Sequence, residues 1–146
     1  MLSQTSEHAL RAVLFLARTR DEGLVSAERV ATAIGAPPNY LAKTLNALAK
    51  AGVVESMRGA TGGFRLAYEP GELTLAQVVE PFDDPQSRGV CLLGDRPCTS
   101  HQPCASHGKW MEVSAQVWEP LRTTTIQQLL GSQAKPISAT LRFATG

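Results

Sequence analysis

Outside residues 91–104 the chain has no cysteine, so thiol chemistry is confined to one short segment. No stretch of the sequence approaches the ~20 apolar residues that a membrane-spanning helix needs, which argues against a membrane partner. The formal net charge is only +1, so no overall field marks the chain as a nucleic-acid binder. Repeats and low-complexity tracts are absent. So are a nucleophile elbow, a phosphate loop and a paired-carboxylate arrangement, and an enzymatic reading has nothing to rest on. The opening "MLSQTSEHALRAVLFLARTR" lacks a basic start and carries Glu7 and His8 within it, so it reads as a first helix rather than a signal peptide. A chain that is not exported is expected in the reducing cytoplasm. Disulfides are rare there in general, and clustered cysteines point to metal or redox chemistry.

At 146 residues the chain holds enough sequence for one modest core. Its charge is unevenly placed. Residues 1–34 balance, residues 35–68 carry Lys43, Lys50, Arg58 and Arg65 against Glu55 alone, and residues 69–100 reverse the sign. A basic stretch inside a near-neutral chain is a local footprint for an anionic partner.

Ala9, Leu10, Val13, Leu16 and Ala17 recur at helical spacing over residues 5–20, with Ser3 or Thr5 as cap. Ser26 caps a second short helix over 27–34, and Gly35 stops it. "APP" turns the chain into a third helix over 38–51, with Leu41, Leu45 and Leu48 buried and Asn39, Tyr40, Lys43, Thr44 and Lys50 on other faces. This is the layout of a helix-turn-helix, although a helical hairpin with a merely solvated polar face has the same pattern. "GVVESMRGATGGFRLAYEP" reads as a strand over 53–57, a glycine-rich turn over 58–63 and a strand over 64–68. Phe64, Leu66 and Tyr68 form the expected buried alternation. Arg58 and Arg65 flank a turn whose Gly59, Gly62 and Gly63 let backbone approach a phosphate, so the hairpin reads as a wing. Thr74 and Gln77 have capping-box spacing for a short fourth helix within 73–84. Trp110, Val113, Val117 and Leu121 share one helical face beyond the cysteines, with Trp118 adjacent. That face is either ordinary packing or a dimer surface. Pro120 is expected to kink or end this helix, and "TTTIQQLL" to resume it.

The segment "CLLGDRPCTSHQPCASHGKW" spaces Cys91, Cys98, Cys104 and His107 as C-x6-C-x5-C-x2-H. Gly89, Gly94, Pro97, Pro103 and Gly108 oppose any regular element, so the backbone can wrap its donors around one centre. Structural zinc sites usually bring ligands in close C-x2–4-C pairs, and none occurs here. Wider spacing suits an iron–sulfur cluster held by thiolates and one unlike ligand. Cys3His zinc and a metal-free redox thiol set remain as alternatives.

Taken together, "VSAERVATAIGAPPNYLAKTLNALAKAGVVESMRGATGGFRLAYEPGELTLAQVVE", the leading "TSEHALRAVLFLA" and the C-x2-H-x2-W of Cys104, His107 and Trp110 resemble the Rrf2 family of bacterial winged-helix transcription regulators. The likeness is greatest to its iron–sulfur subgroup, the cluster-biogenesis and nitric-oxide-sensing regulators. The fold this implies is mainly α with a small β-hairpin wing, a winged helix-turn-helix followed by a long C-terminal dimerisation helix. The expected divisions are residues 1–84 for DNA binding, 85–109 for the cluster loop, 110–131 for the dimer helix and 132–146 for a tail. The resemblance implies a homodimer on double-stranded promoter DNA, acting as a repressor, with Asn39, Tyr40, Lys43, Thr44, Arg58, Gly59 and Arg65 at the DNA. Trp110, Val113, Val117 and Leu121 would meet the second copy. The implied cofactor is an iron–sulfur cluster, [2Fe–2S] in preference to [4Fe–4S], on Cys91, Cys98, Cys104 and His107. Glu7 of the partner subunit is the rival fourth ligand, with His8 and His101 also in reach by sequence. Cluster status, nitric oxide or redox state would be the signal. A zinc-binding or thiol-sensing regulator, or a winged module for protein contacts, is the alternative.

Overall fold

Eight of the first fourteen residues of α1 (Gln4–Arg18) belong to a pattern that can only be satisfied by burying one helical face. In a computed structural model of the chain, which describes residues 2–83, 101, 103 and 105–132, that face is the centre of the molecule. Ser3, rather than Thr5, caps α1, its hydroxyl accepting from the Ser6 amide at 3.2 Å. Ala9, Ala12, Val13 and Leu16 are wholly or almost wholly buried beneath it. Around α1 pack α2 (Ala27–Ile34), α3 (Pro38–Lys50), the hairpin of β1 (Val54–Met57) and β2 (Gly63–Leu66), α4 (Leu75–Val79) and α6 (Ile126–Ser132). The long α5 (His107–Thr123) lies against α4.

Local sequence accounts for most of these boundaries. Ser26 caps α2 by accepting from the Arg29 amide at 3.2 Å, and α2 ends at Gly35. Pro38 opens α3 where a missing N–H costs nothing. Thr74 and Gln77 form the expected capping box at α4. Thr125 and Gln128 repeat the same reciprocal bonds at the start of α6. The two helix starts are joined back to back, since Leu75 N donates to Thr124 O and Ile126 N to Leu73 O. This pairing carries Ile126 into the core, fully buried.

The hairpin pairs Val54 with Leu66, Glu55 with Arg65, Ser56 with Phe64 and Met57 with Gly63. Val25 adds a further rung, exchanging both backbone hydrogen bonds with Phe64 at 2.7 and 2.9 Å. At the turn Gly59 has φ +113°, a conformation side chains disfavour. A Cβ on Gly62 would lie 2.1 Å from the Met57 carbonyl oxygen, so only glycine fits there.

Two expectations differ from the structure. Strand β2 ends at Leu66, and Tyr68 is 42% exposed rather than buried, because the chain leaves the sheet towards Pro70 before the alternation can continue. Helix α5 runs through Pro120 for another turn before stopping. A proline this near the end removes one hydrogen bond, and its own carbonyl still accepts from Thr124 N at 3.0 Å. Of the expected tail, residues 132–146, Ser132 ends α6 and the rest lies outside the described residues.

Candidate nucleic-acid interface and the approach to the cysteine segment

Helix α3 divides its surface cleanly. Leu41, Leu45 and Leu48 are fully buried against α1 and the hairpin, which fixes the roll of the helix. Asn39, Lys43, Asn46 and Lys50 then fall at i, i+4, i+7 and i+11 and are all exposed. This stripe presents two amides and two ammonium groups to solvent. Sequence reasoning named Asn39 and Lys43 but passed over Asn46, which the same spacing would have found.

Two other candidates on α3 do not join that stripe. Thr44 is 3% exposed, and its hydroxyl donates to the Tyr40 carbonyl at 3.2 Å. It faces the core because it follows Leu41 by three positions and precedes Leu48 by four. Tyr40 is half-buried, and its phenol shares a hydrogen bond with the Thr5 hydroxyl of α1. The His8 ring stands edge-on to Tyr40, with centroids 5.5 Å apart and planes at 74°. Burial, followed by the Arg11 charge, holds the His8 pKa below its usual value despite the opposing pull of Glu7. His8 points into the protein, and among the described residues its buried Nδ1 has no hydrogen-bond partner.

Arg58, Gly59 and Arg65 are exposed on the wing. Arg65 Nε donates to Glu55 Oε2 at 2.7 Å across the hairpin, directly opposite in register. Elsewhere Arg20 is held by Glu69 and Arg29 by Glu22, the latter guanidinium also lying 5.8 Å over the Phe15 ring. Among the described residues no carboxylate pairs with Lys43, Lys50 or Arg58. The unneutralised positive charge in this part of the chain therefore sits on the exposed stripe of α3 and the tip of the wing.

On α5, Trp118 is 7% exposed and packs with Ala76 and Val79 of α4. Val117, about 100° round the helix from it, is 42% exposed, and Val113 is 50% exposed. Trp110 on the same face is half-buried, and Met111 next to it is exposed. Leu121 instead packs against the core and the Trp118 cluster. The apolar face thus lies open over Trp110, Val113 and Val117 and turns inward at Leu121.

Cys91, Cys98 and Cys104 lie outside the described residues, as does most of the segment expected to hold the cluster. Its borders are described. His107 is the first residue of α5 and half-buried, while His101 is exposed. Helix α5 begins with no side-chain cap and no acid in its first turn, so its dipole favours negative charge at that end. At the other border Asp83 is 7% exposed, and its Oδ2 accepts from Ser3 N at 2.6 Å and Ser6 Oγ at 2.5 Å. Glu7, one residue beyond, is half-buried on α1. Among the described residues no group of three His, Cys, Asp or Glu side chains could hold a metal. No described helix is long and apolar enough to cross a membrane.

Comparison with known proteins adds the following. The family model described as "Rrf2: Iron-dependent Transcriptional regulator" matches residues 2–132. An HTH-type transcriptional regulator of Aquifex aeolicus is 37% identical over 137 residues, covering 92% of this chain and 94% of that one. The structure of CymR, the global cysteine regulator of B. subtilis, superposes with a TM-score of 0.72 at 26% identity, covering 91% of this chain and 98% of that one. That of T. potens IscR gives a TM-score of 0.70 at 26% identity, covering 93% of each chain.

Proposed function

The chain belongs to the Rrf2 family of transcriptional regulators, and from that premise we propose that it binds promoter DNA as a homodimer under the control of an iron–sulfur cluster. It is a transcriptional regulator rather than an enzyme. The observation that carries the DNA reading is the exposed Asn39–Lys43–Asn46–Lys50 stripe, without carboxylate partners among the described residues, on a helix whose roll is fixed by three buried leucines. Asn39 and Asn46 offer the amide pairs that read base edges, while Lys43 and Lys50 supply charge for bases or backbone. Arg58 and Arg65 on the wing would hold phosphate or enter the minor groove, with Gly59 permitting close backbone approach. Trp110, Val113 and Val117 are the face offered to a second copy, which would place two recognition helices at one spacing on a two-fold site. Repression is the expected outcome of occupying a promoter.

For the cofactor, the donor chemistry fits. Three cysteines within fourteen residues, followed in sequence by His107, make a thiolate-rich donor set. Helix α5, which opens at His107 with no acid in its first turn, has a dipole that favours negative charge there. When bound, a [2Fe–2S] cluster supplies a one-electron centre that is also open to oxidants and nitric oxide. Cys91, Cys98, Cys104 and His107 would hold it, with Glu7 of a second subunit as rival fourth ligand. A family description that reads iron-dependent supports this over zinc. The metal-free thiol reading draws its support from the likeness to a cysteine regulator. Protein purified without oxygen decides between them. Brown protein with stoichiometric iron and sulfide is expected. Colourless protein with zinc, or without metal but still binding DNA, would replace the cluster reading.

A further inference from the structure

Tyr40 and Asp83 are separated in sequence, yet both are fastened to the first two turns of α1. On one side Asp83 accepts from Ser3 N and from Ser6 Oγ, and Ser6 is fully buried. On the other side Thr5 bonds the Tyr40 phenol, and His8 packs edge-on against its ring. Asp83 is the last described residue before the segment that carries the cysteines, and Tyr40 lies in the first turn of α3. We propose that these two turns of α1 act as a positioning element joining the recognition helix to the chain entering the cysteine segment, with Tyr40 and Asp83 as its ends. The inference rests on α3 being the DNA-reading helix.

The physical case is that neither contact can slacken alone. If Asp83 moves, the fully buried Ser6 hydroxyl loses its partner, and an unpaired buried donor is costly. The α1 N-terminus also loses the carboxylate that complements its dipole. A helix transmits such a shift along its first turns as a unit, and Thr5 and His8 lie within those turns. Tyr40 must then follow, or surrender its hydrogen bond. The junction is also not built for stability alone. Among the described residues the buried His8 Nδ1 has no partner, where an apolar ring would occupy the slot without that penalty. Tyr40 is therefore a positioning residue, placed where a base contact was expected but committed inwards.

The test is a double-mutant cycle on promoter affinity, using the full chain purified without oxygen. Tyr40→Phe removes the phenol's bond while keeping the ring, and Asp83→Ala removes the anchor at the other end. Each is expected to weaken binding by roughly threefold to tenfold, and the double variant by no more than the worse single, a coupling of at least about threefold. Tyr40→Phe should leave the salt slope unchanged, since no phosphate contact is lost, whereas Lys43→Ala should lower it. Fold-changes that multiply in the double variant, or a changed salt slope in Tyr40→Phe, would overturn the proposal. Ser6→Ala takes the place of Asp83→Ala if the latter fails to fold, as judged by melting. If Lys43→Ala leaves affinity and slope untouched, the recognition-helix reading itself is wrong, a result distinct from the failure of the coupling.

Discussion

The ion pair between Arg65 and Glu55 makes a quantitative forecast about the wing. The two side chains face each other across the hairpin at 2.7 Å, with 57% and 53% of their surfaces exposed. A pair so open to water contributes about 0.2–1 kcal/mol. Arg65 must give up that amount, and Glu55 must tolerate a nearby phosphate, whenever the wing engages DNA. Glu55→Gln removes both costs and should tighten promoter binding by about 1.4-fold to fivefold. Arg65→Ala acts in the opposite sense. Losing one phosphate contact lowers the salt slope by about 0.9, so over a fourfold rise in salt the native chain should lose about 3.5-fold more affinity than the variant. In an Arg65→Ala background most of the gain from Glu55→Gln should vanish, because no guanidinium is left to release. Fluorescence anisotropy on a labelled promoter duplex across a salt series reads all four proteins. An unchanged slope in Arg65→Ala would remove the wing from the interface. An equal gain from Glu55→Gln in both backgrounds would show that only bulk charge matters.

Val117→Glu places a charge on the open apolar face of α5, and burying it unpaired would cost several kcal/mol, of order 3 or more. Monomers with weak DNA binding are expected in light scattering, and a surviving dimer would locate the interface elsewhere. His107→Ala should bleach or shift the anaerobic visible spectrum, while Glu7→Ala should leave it intact; the reverse pattern would make the cluster a bridge between subunits. Asn46→Ala should change sequence preference in a binding-site selection, whereas Thr44→Val, isosteric and hidden from solvent, should leave that preference as it is. A preference that follows Thr44 instead would mean that α3 turns over on DNA.

Helix starts were legible in the sequence because their cause is local. Ser26, Pro38 and the Thr74–Gln77 box each satisfy or dispense with amides within three residues, so spacing alone identifies them. The buried leucines of α3 were legible for the same reason, since 3.6-residue periodicity is written along the chain. Sidedness was less so. Polarity and a stripe pattern suggest outward positions for Thr44 and Leu121. Thr44 is small enough to be buried with its hydroxyl returned to a carbonyl, and Leu121 can serve the core from the edge of the stripe. Tyr68 had the right parity for burial, but parity counts only while the strand lasts.

By itself the sequence determined the order of helices, the hairpin that follows them, the basic stretch at residues 35–68 and the grouping of three cysteines with a nearby histidine. Each of these is a property of neighbours along the chain. Only the tertiary structure decided that the Tyr40 phenol is held by Thr5, that Trp118 turns to α4 while Val117 stays open, and that Asp83 closes the N-terminus of α1 from 77 residues away. Those contacts join groups whose separation carries no sequence signal. Apolar packing selects the Trp118 contact, and the polar ones follow from the cost of leaving buried polar groups unpaired, which is defined only when the helices have met.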